Sequence, residues 1–165
     1  MIVLLAADRT YDFAVETGSG DSLGTISART RPSRGTVLSR VATISDVHLG
    51  LDVFGVGRQL RESDAAEPYA MRCARAAIDE ATAWGAELLL IKGDLTESGK
   101  TDQWEMAADL LADVEIPVLM TPGNHDVWKS NEVRPEDGAL SLGLPFAPVQ
   151  TCDLPGIRVV LVDTS

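Results

Sequence analysis

Histidine and cysteine are both scarce in this chain, with two of each in 165 residues. Cys73 and Cys152 make no CxxC pair and no disulfide framework, so nothing demands an oxidising compartment. Cys73 falls in a helical pattern with Ala70, Ala74 and Ala77 and reads as a buried structural thiol. Basic residues are also short, at 14 Lys plus Arg against 25 Asp plus Glu, for a net charge of −11 and a pI near 4.5. That balance excludes the basic face a nucleic-acid polymer or an anionic membrane would need. A small phosphate substrate stays compatible, because a bound divalent metal inverts the local field. Long apolar runs are missing too. Met1–Ala7 ends at Asp8, too short for a spanning helix and without the basic start of a signal peptide. The expected setting is cytoplasmic. Repeats and low-complexity tracts are absent, and 45% apolar content excludes a disordered chain.

The first 38 residues read as a β extension and linker. Ile2–Ala6 is an expected short strand, and Tyr11–Thr17 and Leu23–Ala28 flank Gly18-Ser19-Gly20-Asp21, a loop with hairpin chemistry. Residues 29–45 hold Arg29, Arg31, Arg34 and Arg40 with no acidic residue, either an exposed connector or a docking site for an acidic partner. From residue 39 to 165 a single domain is expected, opening with a β-α-β-α-β pattern. Its strands are Val41–Ser45, Leu88–Lys92 and Val118–Pro122. Glu67–Trp84 is an alanine-rich helix that should stop at Gly85. Asp102 with Glu105 resembles a capping box for a helix to about Ala112. Residues 129–156, rich in proline and glycine, read as a long loop before an apolar strand at Ile157–Val162.

Each of the first three strands runs directly into a short polar segment: Asp46-Val47-His48, Gly93-Asp94 and Gly123-Asn124-His125-Asp126. Right-handed crossovers would set those strand ends side by side, at the carboxyl edge where open α/β sheets place ligands. Oxygen and imidazole donors without thiolate suit a hard-to-borderline divalent ion. Asp46 and His48, two residues apart, share one face of a continuing strand and can share one metal ion; alone, the pair is more commonly a turn-capping aspartate beside an unrelated histidine. Asp94, with only glycine before it, suits a bridging carboxylate, or else an aspartate that binds loop amides. Asn124 offers a neutral amide oxygen as a ligand. His125 suits contact with a phosphoryl oxygen or proton donation to a leaving group. Asp126 is expected to orient that imidazole. Glu97 is assigned to the following loop rather than to the metal set. Three strand ends carrying metal-competent residues in order make a shared site the joint reading.

The same three segments resemble the calcineurin-like metallophosphoesterase superfamily. The stretch from Lys92-Gly93-Asp94-Leu95-Thr96-Glu97-Ser98-Gly99 to Gly123-Asn124-His125-Asp126 is particularly similar to its bacterial cyclic-nucleotide phosphodiesterase branch. The likeness covers about Val41 to Ser165. It implies an α/β/β/α sandwich, represented here by its first βαβαβ half behind a β-hairpin extension. It also implies two divalent metal ions of Mn, Fe, Zn or similar kind. By that resemblance Asp46 and His48 hold the first ion, Asp94 bridges, Asn124 holds the second and His125 assists the leaving group. The implied reaction is hydrolysis of a phosphodiester or phosphomonoester, cyclic nucleotides included, by a hydroxide that bridges the ions.

The family pattern also needs three later histidines, whereas His48 and His125 are the two this chain has. The expectation is therefore a phosphoesterase lacking its C-terminal metal ligands, poorly active by itself. The rival is a non-catalytic metal- or partner-binding module on the same scaffold. Expected partners are a small phosphate ester and no membrane, with an oligomer allowed. Phe54 and Trp128 suit stacking on a nucleobase or interlayer packing, and Arg58 and Arg61 suit a phosphate or solvent.

Overall fold

Leu88–Lys92 is apolar through four consecutive residues, the pattern of a strand covered on both faces of a parallel sheet. In the computed structural model it is the middle strand of three. The structure describes residues 5–31, 35–54, 60–61, 67–128 and 132–164, with the side chains of Phe54, Leu60, Arg61 and Trp128 left out. The readings of Phe54, Arg58, Arg61 and Trp128 as substrate-facing side chains lie outside what is described.

Contacts divide the chain into two units, Met1–Val37 and Leu38–Ser165. The first holds β1 (Thr10–Glu16) and β2 (Ser22–Arg29), an antiparallel hairpin that pairs Tyr11 with Ala28 and Phe13 with Ile26. The expected strand at Ile2–Ala6 falls mostly outside the described residues, and Leu5 and Ala6 carry no strand.

In the second unit the order is β3 (Val41–Ile44), β4 (Val53–Phe54), β5 (Leu60–Arg61), α1 (Tyr69–Ala83), β6 (Leu88–Lys92), α2 (Thr101–Leu111), β7 (Val118–Thr121), α3 (Asn124–Trp128), α4 (Pro135–Ser141), β8 (Val149–Leu154) and β9 (Ile157–Val162). β3, β6 and β7 form a parallel sheet in that spatial order, and β4 pairs with β5 as a small hairpin. This is the expected βαβαβ half, with the β-hairpin before it. The register sets Ile44, Ile91 and Met120 in one row, so all three strands end at one level. That alignment brings residues 46, 94 and 124 to a common edge.

α1 buries Ala70, Met71, Ala74 and Ile78, one stripe along the helix. Cys73 lies one position off that stripe and is exposed, which corrects the expectation of a buried thiol. The helix stops as expected at Gly85: its N–H donates to Thr82 O and that of Ala86 to Ala81 O, a Schellman close with Gly85 at φ +81°. α2 buries Gln103, Trp104, Ala107 and Leu110. Its N-cap is Lys100 rather than Asp102, because the Gln103 side chain reaches back to the loop and leaves Asp102 inside the first turn. Leu49, Leu89, Ile91, Leu95, Trp104 and Met120 are central to one core between sheet and helices.

The expected loop at 129–156 instead holds α4 and β8. Pro135 sits at the start of α4, where a missing N–H costs nothing, and Glu136 and Asp137 occupy its first turn. β8 pairs antiparallel with β9 across Pro155-Gly156, and Gln150 Nε2 donates to Met120 O of β7 at 2.6 Å. Among the described residues no helix is long and apolar enough to cross a membrane.

Candidate metal centre

Four described non-glycine residues have positive φ, and three of them are Asp46, His48 and Asp94, at +55°, +52° and +51°. Such backbone costs about 1–3 kcal/mol per residue and persists where the surroundings over-determine it. Here two strand-end loops are laced together. The Asp46 N–H donates to Gly93 O at 3.2 Å, His48 to Asp94 O at 3.0 Å and Leu49 to Leu95 O at 2.9 Å. Glu97 N–H returns to Leu49 O at 2.9 Å. The third loop is tied on by a side chain, since Asp94 Oδ1 accepts the His125 N–H at 2.8 Å.

Close approach of two glycines completes the frame. A Cβ on Gly93 would stand 2.9 Å from the Gly123 Cα, and one on Gly123 would overlap the Asp94 side chain and amide. Both positions exclude a side chain so that Asp94 can lie between the loops.

Within this frame His48, Asp94 and His125 each place one ligand atom within 4.8 Å of the others. All three are partly buried. His48 Nε2 lies 3.9 Å from Asp94 Oδ2, and the two imidazoles meet edge to face at a centroid distance of 4.4 Å. Asp46 is exposed at the same edge and outside this cluster, and Asn124 is exposed at the start of α3.

Glu97 is the site residue that the sequence reading passed over. Its Oε2 lies 2.9 Å from His48 Nδ1 and 3.2 Å from His125 Nδ1, and its carbonyl oxygen is 3.0 Å from the latter. A carboxylate or carbonyl only accepts, so each Nδ1 carries the proton. In the neutral rings Nε2 then keeps a lone pair for a metal or a proton, the state that a carboxylate behind a ligating histidine enforces. The signal was its place three residues after Asp94, within one loop's reach of the site.

Asp126 does something else. It is 3% exposed, and its oxygens accept the N–H groups of Leu95, Thr96 and Gly123 at 3.3, 2.8 and 2.8 Å and the Thr96 hydroxyl at 2.8 Å. These bonds staple the second loop to the third. The carboxylate against the His125 ring is that of Glu97, which corrects the orienting role expected of Asp126.

Two imidazoles with preset tautomers and a carboxylate on a rigid frame fit a divalent cation of hard-to-borderline kind. The family model for calcineurin-like phosphoesterases matches residues 39–162, and the chain belongs to that family. A Fibrobacter succinogenes (strain ATCC 19169 / S85) protein named probable cyclic nucleotide phosphodiesterase is 29% identical over 87 residues, 53% of this chain and 30% of that protein. The structure of purple acid phosphatase PPD1 from yellow lupin (Lupinus luteus) seeds is similar over 93% of this chain and 30% of its own, with a TM-score of 0.45 and 15% identity. The chain thus spans 30% of the length of each of these two proteins.

Proposed function

We propose that this chain supplies metal-binding residues of a phosphoesterase that hydrolyses a phosphodiester or phosphomonoester, with cyclic nucleotides in the substrate range. The observation that carries the reading is the convergence of His48, Asp94 and His125 on one point. Support comes from membership of the calcineurin-like phosphoesterase family. Divalent cations bound there would acidify water and offset the charge that develops on phosphoryl oxygens.

In this reading His48 and Asp94 would hold metal, and Asp46 and Asn124 would add ligands from the same sheet edge. His125, with its Nδ1 proton held by Glu97, presents Nε2 to give a proton to the leaving oxygen. The setting is the cytoplasm, and a small phosphate ester is the partner.

Mn²⁺ titration of the chain by calorimetry, with Mn²⁺-dependent hydrolysis of bis-p-nitrophenyl phosphate, tests the reading. Measurable uptake that is lost in Asp94→Ala, together with slow hydrolysis that collapses in the same variant, is the expected result. Absence of uptake refutes it. A partner-binding module is the second reading, favoured by the exposure of Phe13, Leu23 and Ile26 on the N-terminal hairpin. Partner capture that survives both Asp94→Ala and a chelator would select it.

A further inference from the structure

We infer that Gln103 is a positioning residue that holds the two loops bearing His48 and Glu97 in register. The inference rests on the metal-site reading above. Gln103 is 4% exposed in the first turn of α2, beside the apolar Trp104, Ala107 and Leu110 that the helix also buries. A buried amide in such company needs a polar task.

Its Oε1 supplies one. It accepts the Ser98 N–H at 2.8 Å and the Lys100 N–H at 3.4 Å. The Ser98 hydroxyl lies 3.3 Å from Oε1 and 3.2 Å from Nε2. The side chain thereby closes the loop that starts at Asp94, directly after the residue whose carboxylate meets both imidazoles. The same side chain also packs against the first loop. A Cβ on Gly50, at φ +93°, would stand 2.8 Å from Gln103 Cγ and 2.9 Å from Cδ. Gly50 is two residues past His48, and its bareness lets the amide lie flat on that turn.

One side chain therefore fixes the backbone beside Glu97 by hydrogen bonds and the backbone beyond His48 by contact. Sites tolerate about 0.5 Å of slack before their chemistry degrades, so a loop anchor of this kind acts on the metal through residues it never touches.

Two substitutions separate anchoring from packing. Gln103→Glu keeps the shape and the accepting oxygen, while Gln103→Met keeps the volume and leaves the Ser98 and Lys100 N–H groups unmet. Two readouts apply to the full chain: Mn²⁺ affinity by calorimetry, and the imidazole nitrogen signals of the metal-free protein. With two histidines in the chain those signals resolve individually. Gln103→Met should weaken Mn²⁺ binding about tenfold or more and shift both Nδ1 signals, and Gln103→Glu should restore both. Wild-type affinity and signals in Gln103→Met would overturn the inference. So would equal loss in the two variants with the same drop in melting temperature, which would make Gln103 a packing residue. If wild type takes up no Mn²⁺, the metal reading fails by itself. The metal-free signals then still decide the role of Gln103: shifted in Gln103→Met and restored in Gln103→Glu they support it, unchanged they overturn it.

Discussion

Glu97 Oε2 stands 2.9 Å from the Nδ1 of His48, and the same oxygen is 3.2 Å from the Nδ1 of His125. One residue thus sets the tautomer of two imidazoles that reach the site from different loops, by its carboxylate at His48 and by carboxylate and carbonyl together at His125. Glu97→Ala removes that bias at His48, whose ring is then free to carry its proton on the nitrogen meant for the metal, while the Nδ1 of His125 keeps the backbone carbonyl of residue 97 as its acceptor. Mn²⁺ affinity should fall about 10- to 100-fold by calorimetry while the circular dichroism spectrum stays native. Unchanged affinity would mean the tautomers are set elsewhere.

Asp126 is predicted to matter for stability more than for chemistry. Removing its carboxylate leaves the N–H groups of Leu95, Thr96 and Gly123 and the Thr96 hydroxyl without their acceptor in a buried position. Each such donor costs about 1–3 kcal/mol, so Asp126→Ala should destabilise by about 3 kcal/mol or more in urea unfolding. Asp126→Asn keeps one accepting oxygen and should cost less. Full stability with lost activity would return Asp126 to the orienting role.

The strand ends were legible in the sequence because each motif followed a short run rich in apolar and β-branched residues, buried in β6 and β7 and half-buried in β3. Leu88–Lys92 is the clearest, and its two neighbours end in the same row. Gly85 was legible as a helix stop for the same local reason. Cys73 was not, since a stripe of small residues fits the helix at two rotations, and the sheet chose the one through Ala70, Met71, Ala74 and Ile78. α4 was hidden because Pro135 reads as a breaker unless it is known to sit in the first turn. Asp126 and Glu97 exchanged roles because neighbours in sequence point apart. The residue beside His125 in the chain faces the loop amides, and the one against its ring comes from another strand end.

Arg158 gives the β8–β9 hairpin an acid-sensitive clamp. Its Nε and Nη2 donate to the two oxygens of Asp153 at 2.5 and 2.8 Å, and the residues face each other across the ladder. These hydrogen bonds hold the Asp153 carboxyl below its usual range. A carboxyl depressed in the folded state stabilises above its unfolded pKa and loses that contribution as pH falls through the folded value. Amide exchange in the hairpin should therefore quicken below about pH 4, beyond the trend of the rest of the chain. Asp153→Asn should abolish this extra step. Because the pair is exposed, added salt should shrink it. An identical acid response in the variant would remove the clamp from the explanation.

Gly93 and Gly123 should be the least replaceable small residues of the site. A methyl on Gly123 overlaps the Asp94 amide and carboxylate, and one on Gly93 meets the Gly123 Cα at 2.9 Å with φ at +84°. Each methyl meets backbone atoms, the Asp94 amide in one case and the Gly123 Cα in the other, so the loops themselves must part. Asp94 then loses its place beside His48 and its bond to the His125 N–H. Gly93→Ala and Gly123→Ala should each cost about 1–3 kcal/mol of stability and most of the Mn²⁺ affinity. The double variant should cost less than the sum, because both methyls force the same separation. Gly143→Ala supplies the control, with φ at +69° but nothing within 4 Å of the added carbon. It bears backbone strain alone, about 1–2 kcal/mol, and should bind Mn²⁺ as wild type does. Loss of affinity in that variant as well would trace the effect to general destabilisation. Loss confined to Gly93 and Gly123 would trace it to the position of Asp94.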